Sequence, residues 1–123
     1  MSLKINKTII VDSQQTAEAF KSGDIPVYAS PALMAKSEEL AKDLVIPLLK
    51  EGETTVGIEF SLNHIRPTEV GAQVDFEVRL VEQNKTILVY DFTVESKGQL
   101  IAEGTHKRAI INRQKFMEKL TKK

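Results

Sequence analysis

The chain contains no cysteine, which excludes disulfides, thiolate nucleophiles and sulfur-ligated zinc, and removes any need for an oxidising compartment. Histidine is scarce: only His64 and His106 occur, and neither belongs to the i, i+4 pair beside a carboxylate that a zinc-protease helix uses. No metal site is expected. Charge of one sign is lacking too, because 17 basic residues balance 17 acidic ones for a net charge of zero. Neither nucleic acid nor an anionic membrane is therefore an expected partner. Glycine motifs that cradle phosphate are absent. No apolar run approaches the roughly 18 residues of a membrane span, and Met1–Lys7 lacks the apolar core and cleavage pattern of a signal peptide. The expected location is cytoplasmic.

What is present suffices for one core. With 123 residues, 41% of them hydrophobic, the chain is read as a single domain over residues 1–123. Its organising stretch is Ala29–Pro47, A-S-P-A-L-M-A-K-S-E-E-L-A-K-D-L-V-I-P, the one long segment with helical periodicity. Ser30 reads as a hydroxyl N-cap, Pro31 as the first helical residue and Pro47 as the stop. At about 100° per residue, Leu33, Met34, Ser37, Leu40, Ala41, Leu44 and Val45 form one apolar stripe. Glu38 projects at the margin of that stripe, whereas Glu39 lies on the polar face.

Around this helix the chain reads as strands. Lys4–Val11 is β-branched, and Asp12–Ser22 is a polar connection with a short helical tendency at Thr16–Phe20. Beyond a turn at Gly52, Thr54–Arg66 alternates so that Val56, Ile58, Phe60, Leu62 and His64 share the core-facing row. Gln73–Glu82 alternates most cleanly, through Val74, Phe76, Val78 and Leu80. Thr86–Ser96 presents Leu88, Tyr90, Phe92 and Val94, and Gln99–Ile111 presents Gly104, His106, Arg108 and Ile110 on one face. Asn112 caps a short tail helix over 113–123, whose Phe116, Met117 and Leu120 are available for docking. One strand, one long helix and four sequential strands make an α+β pattern, an antiparallel sheet over a single helix. Because one helix covers one face, edge-to-edge association or packing of the other face is expected, with a homodimer as the minimum assembly.

Three side chains stand out as chemistry: Ser30 at the helix start, Glu38 at the stripe margin and His64 on the inner face of the following strand. All three are placed at one helix–sheet junction. A hydroxyl, a carboxylate and an imidazole supply the nucleophile or water activator, the acid or base and the orienting group that acyl transfer or hydrolysis requires. The helix start adds free N–H groups for an oxyanion. Each residue also has a purely structural reading. Ser30 serves as an N-cap, Glu38 pairs with Lys42 at i+4, and His64 is a satisfied strand-end histidine. His106 reads as structural, and Arg108, between Lys107 and Ala109, as solvent-exposed.

The order S-P-A-L-M-A-K-S-E-E, T-V-G-I-E-F-S-L-N-H, P-T-E-V-G-A-Q-V and E-G-T-H-K-R-A-I resembles the hotdog-fold thioesterases of the fluoroacetyl-CoA thioesterase-like family. The likeness runs from about Ser22 to Arg113. It keeps a hydroxyl residue eight positions before a glutamate, and a histidine thirty-four positions after that hydroxyl. The resemblance implies a hotdog fold, a five-stranded antiparallel sheet wrapped around one long central helix. It also implies hydrolysis of an acyl-CoA by Ser30, Glu38 and His64, with no cofactor beyond the CoA of the substrate. Family members usually carry threonine where Ser30 stands. Gly57 corresponds to a glycine that contacts the acyl group, and Arg108 to the basic residue of the G-T-H-x-R segment. Lys21 and Asp24 occupy positions where the fluoroacetyl-specific member has aromatic residues over the acyl pocket, so the expected substrate is another, small acyl-CoA. Enoyl-CoA hydration on this fold uses an Asp and a His close in sequence, and no such pair surrounds His64 or His106. The alternative from another class is a non-catalytic protein that binds acyl-CoA or another small ligand in the same pocket.

Overall fold

A computed structural model describes residues 3–121. The first strand, β1 (Leu3–Ile10), leads through a capped turn at Asp12 into the short helix α1 (Ala17–Phe20), whose N-cap Thr16 accepts from the Ala19 N–H. The long helix α2 (Ser30–Leu44) follows, and a single 3-10 turn at Ile46–Leu48 carries the chain into the sheet. Pro47 therefore sits in that turn, beyond the helix proper, where its missing N–H costs nothing. Four antiparallel strands complete the fold: β2 (Glu53–His64), β3 (Gln73–Asn84), β4 (Ile87–Ser96) and β5 (Gln99–Asn112). The sheet order is β1-β3-β4-β5-β2, which leaves β1 and β2 as the edges.

The helix lies across one face of this sheet. Leu33, Leu40, Ala41 and Val45 from the α2 side meet Val74, Phe76 and Val78 of β3, Leu88, Tyr90, Phe92 and Val94 of β4, and Ala102 of β5. Ala32 joins the buried face, and Ser37 is accommodated there because its hydroxyl donates to the Leu33 carbonyl at 3.0 Å. The expected alternation holds from Val74 to Leu80 in β3, from Leu88 to Val94 in β4 and from Gly104 to Arg108 in β5, while register shifts fall between Leu80 and Glu82 and between Val94 and Glu95. The opposite sheet face is polar, with Arg79 bonded to its cross-strand partner Asp91 at 2.8 Å and Thr8 to Asp75 at 2.7 Å. That face is satisfied in water and needs no second layer. The outer edges of β1 and β2 carry no strand partner among the described residues.

In β2 the expected alternation fails at one point. The register with β5 shifts between Gly57 and Glu59, so Ile58 is an extra residue and is 52% exposed. A bulge reverses the facing of everything on one side of it. Phe60, Leu62 and His64 point inward as expected, but ahead of the bulge Thr55 and Gly57 replace Val56 and Ile58 on the helix side. After β5, Asn112 caps α3 (Arg113–Thr121) by accepting from the Lys115 N–H at 2.9 Å, and Met117 and Leu120 stay exposed. The last two positions of the expected tail helix lie outside the described residues. No described helix is long and apolar enough to cross a membrane.

Candidate active site

Ser30 is not the N-cap of α2. Ala29 occupies that position without a side-chain cap bond, and Ser30 is the first helical residue. Its hydroxyl goes elsewhere: Ser30 Oγ and His64 Nδ1 lie 2.7 Å apart, bridging the helix start and the end of β2. The cap was thus given up for a tertiary partner 34 residues away. The His64 ring is partly buried, and burial lowers its pKa, with the Arg66 backbone acting in the opposite direction. Nε2 is buried without a hydrogen-bond partner. With the proton on Nε2, Nδ1 is free to accept from the serine. A neutral imidazole hydrogen-bonded to a hydroxyl is the arrangement that activates an oxygen nucleophile. The pair opens on a cleft of about 380 Å³ lined by Ile25, Tyr28, Ser30, His64, Ile65 and Arg66 among others.

Glu38 does not join this pair within the chain. Eight residues of α-helix carry it about 12 Å further along the axis than Ser30. It is half-buried at the stripe margin and forms no ion pair with Lys42, which lies 3.6 Å from Asp43; the exposed Glu39 pairs with Lys36 at 2.9 Å. What Glu38 faces is Gly57. A Cβ at Gly57 would lie 2.9 Å from Glu38 Oε2, 3.3 Å from His106 Cε1 and 3.5 Å from Arg108 Nη1. The missing side chain leaves a space that a carboxylate, an imidazole and a guanidinium surround. The three sequence candidates therefore fall into two groups, Ser30 with His64 and Glu38 with Gly57, separated by most of β2.

Arg108 is 7% exposed, contrary to the reading of it as a solvated neighbour of Lys107. Its Nε donates to Thr55 Oγ1 at 2.8 Å and its Nη2 to the Thr55 carbonyl at 3.0 Å. Its Nη1 stands 3.2 Å from His106 Nε2. A guanidinium only donates, so Nε2 accepts and His106 carries its proton on Nδ1, from which it donates to the Glu59 carbonyl at 2.8 Å. His106 thereby ties the bulge of β2 to β5, while its ring packs on Phe60 and Tyr90 at centroid distances of 4.9 and 5.7 Å. Burial lowers the His106 pKa, the Glu59 backbone opposes that, and Arg108 adds to it. Burial likewise lowers that of Arg108, against the pull of Tyr90 and Glu38. The Tyr90 phenol is pushed up to about 12 by burial. Thr55 and Tyr90 were not singled out in the sequence, and the inward row of β5 was the available signal for His106 and Arg108.

A family model described as fluoroacetyl-CoA-specific thioesterase matches residues 11–114. Among solved structures, the fluoroacetyl-CoA thioesterase FlK superposes with a TM-score of 0.90 at 21% identity, covering 98% of this chain and 93% of that one. A hypothetical protein of the thioesterase superfamily from Thermus thermophilus gives 0.85 at 20% identity, over 98% and 88%. A hot-dog-like protein from Thermanaerovibrio acidaminovorans gives 0.88 at 16%, over 95% and 87%. No curated protein matches the chain in sequence. These likenesses establish the hotdog architecture of sheet and central helix.

Proposed function

Since the chain belongs to the fluoroacetyl-CoA-specific thioesterase family, we propose that it hydrolyses a small acyl-CoA thioester to the free acid and CoA through Ser30, His64 and Glu38. The observation that carries this reading is the 2.7 Å contact between Ser30 Oγ and His64 Nδ1 at the wall of an apolar cleft. Ser30 Oγ attacks the thioester carbonyl carbon as its proton passes to Nδ1. The first-turn amides of α2, which no side chain caps, favour the negative charge that develops on the carbonyl oxygen. The carbon–sulfur bond then breaks and the CoA sulfur takes the proton. Water, deprotonated by Glu38, attacks the resulting serine ester, and as the ester C–O bond breaks the proton held by Glu38 passes to the Ser30 oxygen, releasing the acid and restoring both groups. Every step is completed by groups of the protein and the substrate. One of the solved FlK structures is a threonine-to-serine variant in complex with acetyl-CoA, so a serine hydroxyl at that position is compatible with acyl-CoA binding in that protein.

The distance between Glu38 and His64 supports assembly from two copies. Strand β2 is an edge, bonded to β5 on one side only. An antiparallel pairing of two β2 strands about a two-fold axis through Ser61, with Ile58 bulged out of the ladder, sets Gly57 of one copy across from His64 of the other. Glu38, which sits on Gly57, then faces the Ser30–His64 pair of the second copy. Two equivalent sites result, each incomplete in a monomer. Release of free thiol from a panel of small acyl-CoA thioesters tests the activity. Hydrolysis is the expected result; acyl-CoA binding by calorimetry without any hydrolysis would replace the enzyme with a binding protein.

A further inference from the structure

The cleft beside Ser30 and His64 is walled by Ala17, Ile25, Val27, Ile65, Pro31 and Pro67, yet it also contains one cation, Arg66. That arginine is held in place. Its backbone N–H and that of Ile65 both donate to the Ile101 carbonyl, at 3.2 and 2.7 Å, and Pro67 fixes the chain directly after it. Its Nη1 donates to the Leu100 carbonyl at 3.0 Å. Among the described residues no carboxylate lies within ion-pair distance of it, and the nearest candidate along the chain, Glu69, is taken by Lys97 at 2.5 Å. The guanidinium is thus anchored through one nitrogen, with Nε and Nη2 unengaged. A planar fork with free donors matches a carboxylate or phosphate in bidentate fashion.

Resting on the thioesterase reading, we propose that Arg66 binds a carboxylate at the far end of the acyl group, so that the substrates of choice are CoA monothioesters of short dicarboxylic acids. Two residues, about 7 Å of extended chain, separate Arg66 from His64. That span suits the length of a short acyl group. The pantetheine arm between the thioester sulfur and the CoA diphosphate is much longer, which places the phosphates beyond this fork. A mostly apolar cleft with one anchored cation in its lining accepts methylenes along its walls and a carboxylate at that cation.

The test compares succinyl and butyryl groups, each as the CoA thioester and as the N-acetylcysteamine thioester, which lacks phosphates, in the wild type and in Arg66→Gln. The expected result is a succinyl-to-butyryl ratio of kcat/KM that falls by at least about tenfold in Arg66→Gln, the loss of one charge-assisted contact, with both carriers. Arg66→Lys should recover part of that ratio, since it keeps the charge without the fork. An unchanged ratio overturns the proposal. So does a loss that appears only with the CoA carrier and affects both acyl groups alike, which would assign Arg66 to a phosphate. If the wild type hydrolyses none of these thioesters, the catalytic reading fails, and calorimetry with succinyl-CoA and butyryl-CoA decides the carboxylate site separately. Selective weakening of succinyl-CoA in Arg66→Gln supports the site, and equal affinities overturn it.

Discussion

Arg108 Nη1 meets His106 Nε2 at 3.2 Å in the buried space between sheet and helix, and the contact holds His106 in one tautomer. A proton added at Nε2 would face the guanidinium, which is why burial and Arg108 together lower the histidine's pKa. Since the folded value lies below the unfolded one, near 6.5, the unfolded chain binds more protons as pH drops through the window beneath 6.5. Stability should be full above that pH and decline below it. His64, whose pKa is also lowered, contributes in the same direction. Thermal melts between pH 7.5 and 5 should show a shallower decline for His106→Gln than for the wild type; parallel declines would mean that His106 is not held neutral.

Gly57→Ala probes the space that Glu38, His106 and Arg108 surround. The new methyl group would sit 2.9 Å from Glu38 Oε2, the far end of a flexible side chain. The carboxylate can turn away, so the melting temperature should change little, equivalent to about 1 kcal/mol or less. Hydrolysis should fall by roughly a hundredfold, the scale of a 1 Å displacement of a catalytic group. Steady-state kinetics and melts on one preparation check both halves.

The activity should need neutral His64. Because burial lowers its pKa, the acid limb of kcat/KM should have its midpoint below the ordinary value of about 6.5, with rates falling as pH drops through it. A limb centred above 7 would show that the ring is not desolvated as the structure has it.

Ser30→Ala separates capping from chemistry. A lost cap costs about 1 kcal/mol, but Ser30 caps nothing here. The variant should therefore melt within about 0.5 kcal/mol of the wild type, as alanine suits a first helical turn, while hydrolysis is lost. A large stability loss would restore the capping role.

The elements with clean periodicity were legible in the sequence. The apolar stripe of α2, the alternation of β3, β4 and β5 and the helical tendency at Thr16–Phe20 depend on local spacing, which sequence displays directly. The β2 bulge was not, because Ile58 continues a perfect alternation, and only the register with β5 and the bond from His106 to the Glu59 carbonyl displace it. Ser30 before Pro31 carries every local mark of a cap, and a partner distant in sequence overrides it. Glu38 was correctly set at the stripe margin, but its neighbour Gly57 is fixed by strand register. For Arg108, alternation pointed inward and charge pointed outward; Thr55 and His106 supply the bonds that let alternation win.

Complementation between two inactive variants tests the central claim most directly. Co-expressed Glu38→Gln and Ser30→Ala/His64→Ala chains form mixed dimers in which one of two sites has all its groups, provided that Glu38 serves the partner's serine and histidine. Each variant alone should hydrolyse acyl-CoA at a rate lower by orders of magnitude, with Glu39→Gln as an active control. The mixture should recover on the order of a quarter of wild-type activity, as half the dimers are mixed and each carries one intact site. No recovery in a mixture shown to contain mixed dimers, or full activity of Glu38→Gln alone, would contradict the account.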